Sequence, residues 1–485
     1  MTDIKRRSFL KGALAAGATA AMPASSVLGA NERVNMAFVG LGGRGSGSVG
    51  WFSGIDGVEV AALCDADENR IAGVADDHPD AMTTTDMREV YENDDIDAVC
   101  VSTCNHWHVL ASIWAVQAGK DVYVEKPLSW NVWEGRQLEK ARKKYDRIVQ
   151  GGTQQRSDPL QKKIKNFLDS GKIGDIRYVR CNRYGRRHPI GMRDKPLDPP
   201  DSVDYNMWLG PAQDEPIYRD NFHYQWHWVW NTGNGEAGNW GPHLLDDARN
   251  VVYRDEETLP HACVAGGGRL KWDDAGDTPN TQFAYFETGS VPLILDVHNL
   301  PRKASQQGVP DIYDKRRTRA FLIIECEDGY YAGGRGGGAF YDLDGEKIKQ
   351  LNGNGGGGHA RNFIKAVRHH DQSMLNAPVV QTHYSTAWCH MANNSYRLGK
   401  DFTKEEAKAR VKGYKPWKDV VDGFYEHLEA NKIDPDEADI KLGPVLQVDP
   451  EKEKLVGKSA TDKAKALMDG SLRGYRDGFE VPEKV

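Results

Sequence analysis

Cysteine is sparse in this sequence: seven in 485 residues, an odd number at wide spacings, with no CxxC and no Cys/His knuckle. A disulfide-stapled scaffold and a structural zinc site are therefore not expected. Positive charge is not in excess either, since 63 Lys and Arg face 70 Asp and Glu for a net charge of −7. That balance excludes a polybasic binder of nucleic acid or anionic lipid, because neither partner is drawn to a negative field. No repeat period runs through the chain, and a 39% hydrophobic content is ordinary, so fibrous and disordered classes drop out. What remains is chain enough for two or three globular domains.

The first thirty residues differ from the rest. Lys5-Arg6-Arg7-Ser8-Phe9-Leu10-Lys11 precedes an uncharged stretch, Gly12 to Ala30, rich in Ala and Gly. A basic segment, a weak apolar stretch and small residues near its end read as a cleaved export signal over residues 1–30. Pro23 and the glycines make it a poor membrane span, so no stable span is expected after cleavage. Arg6-Arg7 followed by Ser-Phe-Leu-Lys resembles the twin-arginine signal. That makes the twin-arginine export machinery an expected partner and the periplasm the expected location. This pathway carries folded proteins, which suits a cofactor bound before export. A cytosolic folding history also accounts for Cys64 and Cys100 within apolar strands.

Residues 34–40, VNMAFVG, read as a buried parallel strand. It enters Gly40-Leu41-Gly42-Gly43-Arg44-Gly45, a GxGxxG. The first Gly permits a tight turn, the second lets backbone approach a pyrophosphate, and the third lets the next helix pack closely. A second strand, VEVAALCD, ends at Asp65, where a carboxylate suits the ribose hydroxyls of NAD and repels a 2′-phosphate. Arg44 and Arg70 keep NADP open. IDAVCVST and DVYVEKP give two further strands, the latter ending at Glu125-Lys126-Pro127, with Asn105-His106-Trp107-His108 opening the helix between them. Ligands in such sheets sit at the carboxyl ends of the strands.

GLGGRG, CDADENR and NHWHVLASIWAVQAGKDVYVEKP together resemble the glucose–fructose oxidoreductase, inositol dehydrogenase and MocA (Gfo/Idh/MocA) family. The resemblance continues through GGTQQRS, WLGPA, GNWGPHLLD, HARNFIKAVRHH and ANNSYRLGK, most of the chain after the signal. It implies an α/β protein: an N-terminal Rossmann domain with a doubly wound parallel sheet, residues 31–152. An α/β domain with an open, mainly antiparallel sheet, residues 153–485, would line the site and mediate homo-oligomerisation. On the cofactor side it implies Gly40, Gly42, Gly43, Arg44, Gly45 and Asp65 around the dinucleotide. Thr103, Asn105, His108, Glu125 and Lys126 complete that set.

Oxidising a secondary alcohol needs a proton acceptor while hydride leaves. Lys126 follows a buried strand, where desolvation lowers a lysine pKa, and the EKP resemblance makes it the expected catalytic group. The second catalytic candidate is His243, the usual acid/base in the family's Asp-x-Gly-x-His pattern; a satisfied core histidine is the other reading. Asn239 stands where that pattern has Asp, and an amide cannot stabilise an imidazolium by charge. If a helix begins near Pro242, Asp246 and Asp247 lie at i+3 and i+4 from His243, and one of them would supply the charge.

Upstream, HYQWHWVWNTGNGE (residues 223–236) sets four aromatics beside polar groups, a composition suited to covering sugar C–H faces. Trp226, His227 and Trp240, with Arg183 and Tyr184, are the candidate substrate residues; a solvated strand edge is the other reading of Arg183, Tyr184, Arg186 and Arg187. His223 and His227 stand four apart, but no HExxH completes a zinc site, and no metal is expected. Gly333–Gly338 and Gly353–Gly358 read as loops, and the tail from Asp401 as helix or coil.

The expected function is an NAD-using oxidoreductase of a sugar, glycoside or cyclitol hydroxyl. Free NAD is scarce outside the cytoplasm, so a tightly bound cofactor would be recycled in place, one sugar oxidised and another reduced. The alternatives are a glycosidase that oxidises, eliminates and reduces in turn, and a sugar-binding protein with a non-turning site. Export should depend on Arg6 and Arg7 together: replacing both with Lys should leave precursor in the cytoplasm on fractionation. Normal periplasmic delivery of that double variant would remove the folded-export argument.

Overall fold

The computed structural model describes residues 33–301 and 322–485; the signal segment lies outside the described residues. The first sheet has six parallel strands: β1 (Val34–Val39), β2 (Val58–Cys64), β3 (Met82–Thr84), β4 (Ala98–Val101), β5 (Asp121–Val124) and β6 (Val149–Gly151), in the order β3-β2-β1-β4-β5-β6. β1 shows why these segments are strands. Ala37 and Val39 pack into one apolar cluster and Met36 and Phe38 into the other, so both faces are covered, as parallel sheets require. The order reverses between β1 and β4, which opens a crevice at their carboxyl ends.

The second sheet contains β7 (Ile176–Tyr184), β8 (Ala262–Gly268), β9 (Thr281–Glu287), β10 (Leu293–His298), β11 (Leu322–Cys326) and β12 (Gly329–Gly334). It is extended by β13 (Gly337–Asp342), β14 (Lys347–Asn352), β15 (Ile440–Leu442), β16 (Leu446–Asp449) and β17 (Lys454–Leu455). Its order is β14-β13-β12-β11-β7-β10-β9-β8-β16-β17, with β15 also on β8. Pairing is antiparallel except between β7 and β10. The stretch Gly333–Gly338, expected as a loop, is instead the tip of the β12–β13 hairpin. Its strand glycines leave room for a ring, since a Cβ at Gly333 or Gly338 would fall 2.2 Å from the Tyr331 hydroxyl. The tail also holds three short strands beside its helices, where only helix or coil was expected.

One face of this sheet is covered by the helices Pro159–Leu168, Gly235–Val251 and Val379–Arg397. Part of the other face is covered by Lys415–Ala430, whose Trp417 and Phe424 pack on Phe283. The chain also returns to the first sheet. Phe363 and Ile364, from the helix His359–His369, join the cluster under Phe38 and Phe52, and Phe479 and Val481 join the opposite one.

The helix Gly235–Val251 is anchored to both parts of the chain. It begins seven residues before the start expected from Pro242, which lies inside it. Proline favours a helix's first turn, but here Asn234 fixes the start. Its side chain accepts from Asn105 Nδ2 at 3.0 Å and donates to the Trp130 carbonyl at 3.0 Å, and its carbonyl accepts from Asn393 Nδ2. Arg249, fully buried, donates to the Glu257 and Gln381 carbonyls and to Ser385, which ties the far end to the helix Val379–Arg397. The two helices touch at Gly241, where a Cβ would lie 2.8 Å from Cys389 Sγ. Gly241→Val should therefore separate them and cost about 1–3 kcal/mol, seen as a lower thermal midpoint. An unchanged midpoint would show that the contact has slack.

Candidate active site

A cavity of about 660 Å³ runs from the glycine turn after β1 to the first half of the helix Gly235–Val251. That volume lies within the usual range for small-molecule and cofactor sites. At its nucleotide end Gly40 has φ +88°, and a Cβ there would lie 2.6 Å from the Ser102 carbonyl carbon. A Cβ on Gly45 would sit 1.7 Å from the Gly40 oxygen, whereas Gly42 and Gly43 have nothing within 4 Å. Two glycines thus close the turn and two leave open space above it. The helix Gly43–Ser53 starts there with no side-chain cap, so its first N–H groups are available to an anion.

Asp65 accepts from Leu41 N at 2.5 Å and Asp67 N at 3.0 Å. A carboxylate has about four lone-pair sites, so it retains capacity toward the cavity it lines. Burial pushes its pKa up, against the pull of those two N–H groups. Arg44 lies 3.8 Å from Glu125 and over the Trp51 ring at 5.0 Å. These residues fit a dinucleotide: an open anion seat, a ribose-side carboxylate and a covered trough between them.

Thr103, Asn105 and His108 line the same cavity but also brace it. Asn105 spends an amide hydrogen on Asn234. His108 bridges the Pro127 and Thr103 carbonyls at 2.6 and 3.1 Å, joining the loops after β4 and β5. Burial lowers its pKa.

At the other end Lys126 Nζ donates to the backbone and side-chain oxygens of Asn239, at 2.6 and 3.0 Å. Two of the nitrogen's positions are thereby fixed. In the ammonium the third carries a hydrogen, and in the amine it carries the lone pair. Burial lowers the Lys126 pKa to about 8, helped by Arg44 and opposed by Glu125. Glu125 is buried, accepting from Gln154 Nε2 at 2.8 Å and from Lys126 N at 3.2 Å.

Asn239 is held in turn: its Nδ2 donates to Glu236 Oε2 at 3.3 Å. Glu236, buried in the helix's first turn, accepts from Arg183 and Arg187. Positions 236, 239, 240 and 243 follow helical spacing and share one face, which lines the cavity with Asn239, Trp240 and His243. Sequence reasoning missed Glu236 because it placed the helix start too late; with the helix beginning at Gly235, the same spacing puts Glu236 on the face of Asn239 and His243. It also missed Arg335, on the β12–β13 turn, whose Nη2 donates to Gln154 Oε1 at 3.2 Å.

His243 makes no hydrogen bond among the described residues, and its Nδ1 is buried without a partner. Burial, then the charges of Lys126 and Arg335, hold its pKa well below the usual value. The expected help from Asp246 and Asp247 is not there. Asp246 is taken by Arg156 at 2.7 Å and Ser385 at 2.7 Å, and Asp247 by the Gln155 and Gln161 amides. Burial and the neighbouring Asp246 push the Asp247 pKa well up, which makes it a poor source of negative charge.

Of the candidate substrate residues, Arg183, Trp226, His227 and Trp240 line the cavity. His227 stacks on Trp226 at 3.6 Å, and burial lowers its pKa to about 3. Tyr184 does not line it. Successive strand residues alternate faces, so with Arg183 toward the helix, Tyr184 points away and donates to Asp296 at 2.8 Å. His223 pairs with Asp67 at 2.7 Å. Among the described residues, no group of three or more His, Cys, Asp or Glu is placed to hold a metal.

A glycine-turn parallel sheet joined to a site-bearing second sheet defines a dinucleotide-dependent oxidoreductase fold. The chain belongs to the Gfo/Idh/MocA oxidoreductase family: residues 34–153 match its NAD-binding Rossmann fold and 187–308 its C-terminal alpha/beta domain. Residues 3–23 match a twin-arginine translocation signal sequence, so the chain carries an export signal. Among the described residues no helix is long and apolar enough to cross a membrane.

The chain is similar to inositol 2-dehydrogenase 2 of Saccharopolyspora erythraea, 30% identical over 166 residues, which is 34% of this chain and 49% of that protein. It is also similar to an alpha-N-acetylgalactosaminidase of Shewanella oneidensis, 34% identical over 165 residues, 28% of this chain and 36% of that protein. The chain thus spans less than half the length of these curated relatives. Of solved structures, the WlbA dehydrogenase of Bordetella pertussis with NADH and UDP-GlcNAcA aligns with a TM-score of 0.53 at 16% identity, over 75% of this chain and 97% of that one. Levoglucosan dehydrogenase with NADH and levoglucosan gives 0.55 at 16% identity, over 74% and 96%. At such identities the likeness is one of fold.

Because Asn239 contacts Lys126 as a neutral amide, Asn239→Asp should stabilise the ammonium. The pKa of Lys126 should rise by about one unit or more, moving the pH midpoint of turnover in the alkaline direction. An unchanged midpoint would show that the residue at 239 does not set it.

Proposed function

We propose that the chain is a periplasmic, NAD-dependent oxidoreductase acting on a secondary hydroxyl of a sugar, glycoside or cyclitol, with its dinucleotide retained and recycled. The observation that carries this reading is Lys126: a desolvated amine with one free position, facing an aromatic-lined cavity continuous with the glycine turn. Bound along that turn, the cofactor supplies the acceptor and donor of a hydride at a carbinol carbon.

The protein's own part is proton handling and placement. With two hydrogens on the Asn239 oxygens, neutral Lys126 Nζ directs its lone pair at the substrate hydroxyl and takes its proton. In the reducing direction the ammonium returns that proton to the carbonyl oxygen. A pKa of about 8 puts both forms within reach near neutrality, and oxidation should accelerate as pH rises through that value. His243 stays neutral and orients the hydroxyl by a hydrogen bond rather than by charge. Trp226, His227 and Trp240 cover the ring and exclude water.

Two relatives named for different activities match this chain at nearly equal identity, one a dehydrogenase and one a glycosidase. The second reading is therefore a glycosidase in which the same hydroxyl is oxidised, the glycosidic bond eliminated and the product reduced. A glycoside panel on the NAD-loaded protein separates the two. An oxidised sugar with its glycosidic bond intact supports the first, and a released aglycone without net NADH supports the second. Binding with neither would leave a sugar-binding protein and overturn both.

Lys126→Ala should lower turnover ~10²–10⁴-fold, the span of general acid–base help. His243→Ala should lower it only about 2–10-fold, the worth of one neutral hydrogen bond. Both should keep most bound NAD by mass spectrometry. Near-normal turnover in Lys126→Ala would overturn the assignment.

A further inference from the structure

The substrate end of the cavity holds more positive charge than its protein partners balance. β7 delivers Arg183 toward the helix Gly235–Val251, where its Nε donates to Glu236 Oε1 at 3.0 Å. Its guanidinium lies 4.3 Å over the Trp240 ring. The seat is kept by an absent side chain, because a Cβ on Gly185 would fall 1.9 Å from Arg183 Nη1. Arg187 closes on the same carboxylate through Nε and Nη2, both at 3.2 Å, and its Nη1 donates to the Tyr224 hydroxyl at 3.2 Å. Glu236 is 1% exposed and is the one carboxylate the two guanidinium groups share.

Within this trio one positive charge is left over. The terminal nitrogens of Arg183 have no hydrogen-bond partner among the described residues, and Arg183 lines the cavity with Lys126, Asn239 and Trp240. The dinucleotide phosphates do not account for this charge, since they have their own seat at Gly42 and Gly43 on the first sheet. The free Nη1/Nη2 edge of Arg183, held by the buried Glu236 and the Trp240 ring, is preorganised for a planar anion, which a guanidinium binds in bidentate fashion, while Arg187, each of whose nitrogens already has a partner, adds charge beside it. Glu236, buried directly behind the fork, repels a second negative charge and so favours a monoanion over a dianion.

We propose that the substrate is a sugar acid, whose carboxylate is held by the Arg183 fork beside the charge of Arg187 while Lys126 faces the reacting hydroxyl. This rests on the oxidoreductase reading above for the hydroxyl, but the carboxylate site itself is read by binding alone. The test titrates the NAD-loaded protein with matched pairs, glucuronate against glucose and galacturonate against galactose, with gluconate for a carboxylate at the other end of the chain. Glucose 6-phosphate serves as the dianionic arm. Tryptophan fluorescence or calorimetry reports affinity without turnover.

At least one acid should bind about tenfold or more tighter than its neutral partner, a gap that narrows with added salt. Arg183→Gln should bring the ratio close to one, and Arg183→Lys, which keeps the charge but not the fork, should restore part of it. The wild-type ratio and its salt dependence need no variant, so poor folding of either would not spare the proposal. Equal or weaker binding of every acid would overturn it, as would tighter binding of the phosphate ester. Acid-selective binding without hydride transfer would overturn the oxidoreductase reading alone. Turnover of neutral sugars with no acid preference would overturn the carboxylate site alone.

Discussion

Lys126 reaches from the carboxyl end of β5 to two oxygens of Asn239 on the helix Gly235–Val251, and this contact joins the two halves of the site. An ammonium group taken out of water is costly unless it is hydrogen-bonded or can lose its proton. Here it meets two neutral oxygens rather than a carboxylate at contact distance. The outcome is a lysine whose proton is loosely held and whose third position faces the cavity.

That arrangement is maintained from behind. Asn239 is oriented by Glu236, Glu236 is fixed by two arginines, and the helix that carries both is pinned at Asn234 and Arg249 to neighbours from both parts of the chain. A charge cluster therefore acts on the proton-handling group through an amide, which transmits position without placing a negative charge beside it. With Asp in place of Asn239, the lysine and the carboxylate would hold each other ionised, and the imidazole of His243 would gain a counter-charge. With Asn, the imidazole stays neutral and the lysine becomes the better proton acceptor.

The first sheet was legible because its chemistry is local. A strand, a glycine turn and a carboxylate at Asp65 lie within thirty-odd residues, and each glycine's task is set by the backbone alone. Lys126 was legible for the same reason, as the residue directly after a buried strand. The second half was less so because its meaning depends on phase. Whether Arg183 or Tyr184 faces the helix turns on which face of β7 is inward, and neighbouring sequence does not fix that. Reading Pro242 as a first-turn proline moved the helix start, which hid Glu236; Asp246 and Asp247 do lie one turn from His243, but Arg156, Ser385 and two glutamines, distant in sequence, occupy their carboxylates. The glycines of the β12–β13 hairpin looked like loop because strand glycines make sense only once Tyr331 is seen to occupy their space.

Burial and a neutral partner together make Lys126 a group that changes protonation near neutrality. The most direct test is an NMR titration of the NAD-loaded protein carrying isotope-labelled lysine, with the Lys126 resonance assigned by its loss in Lys126→Met. The expected midpoint is about 8. A midpoint in the ordinary lysine range above about 10 would contradict this and leave Lys126 a fixed cation at the site.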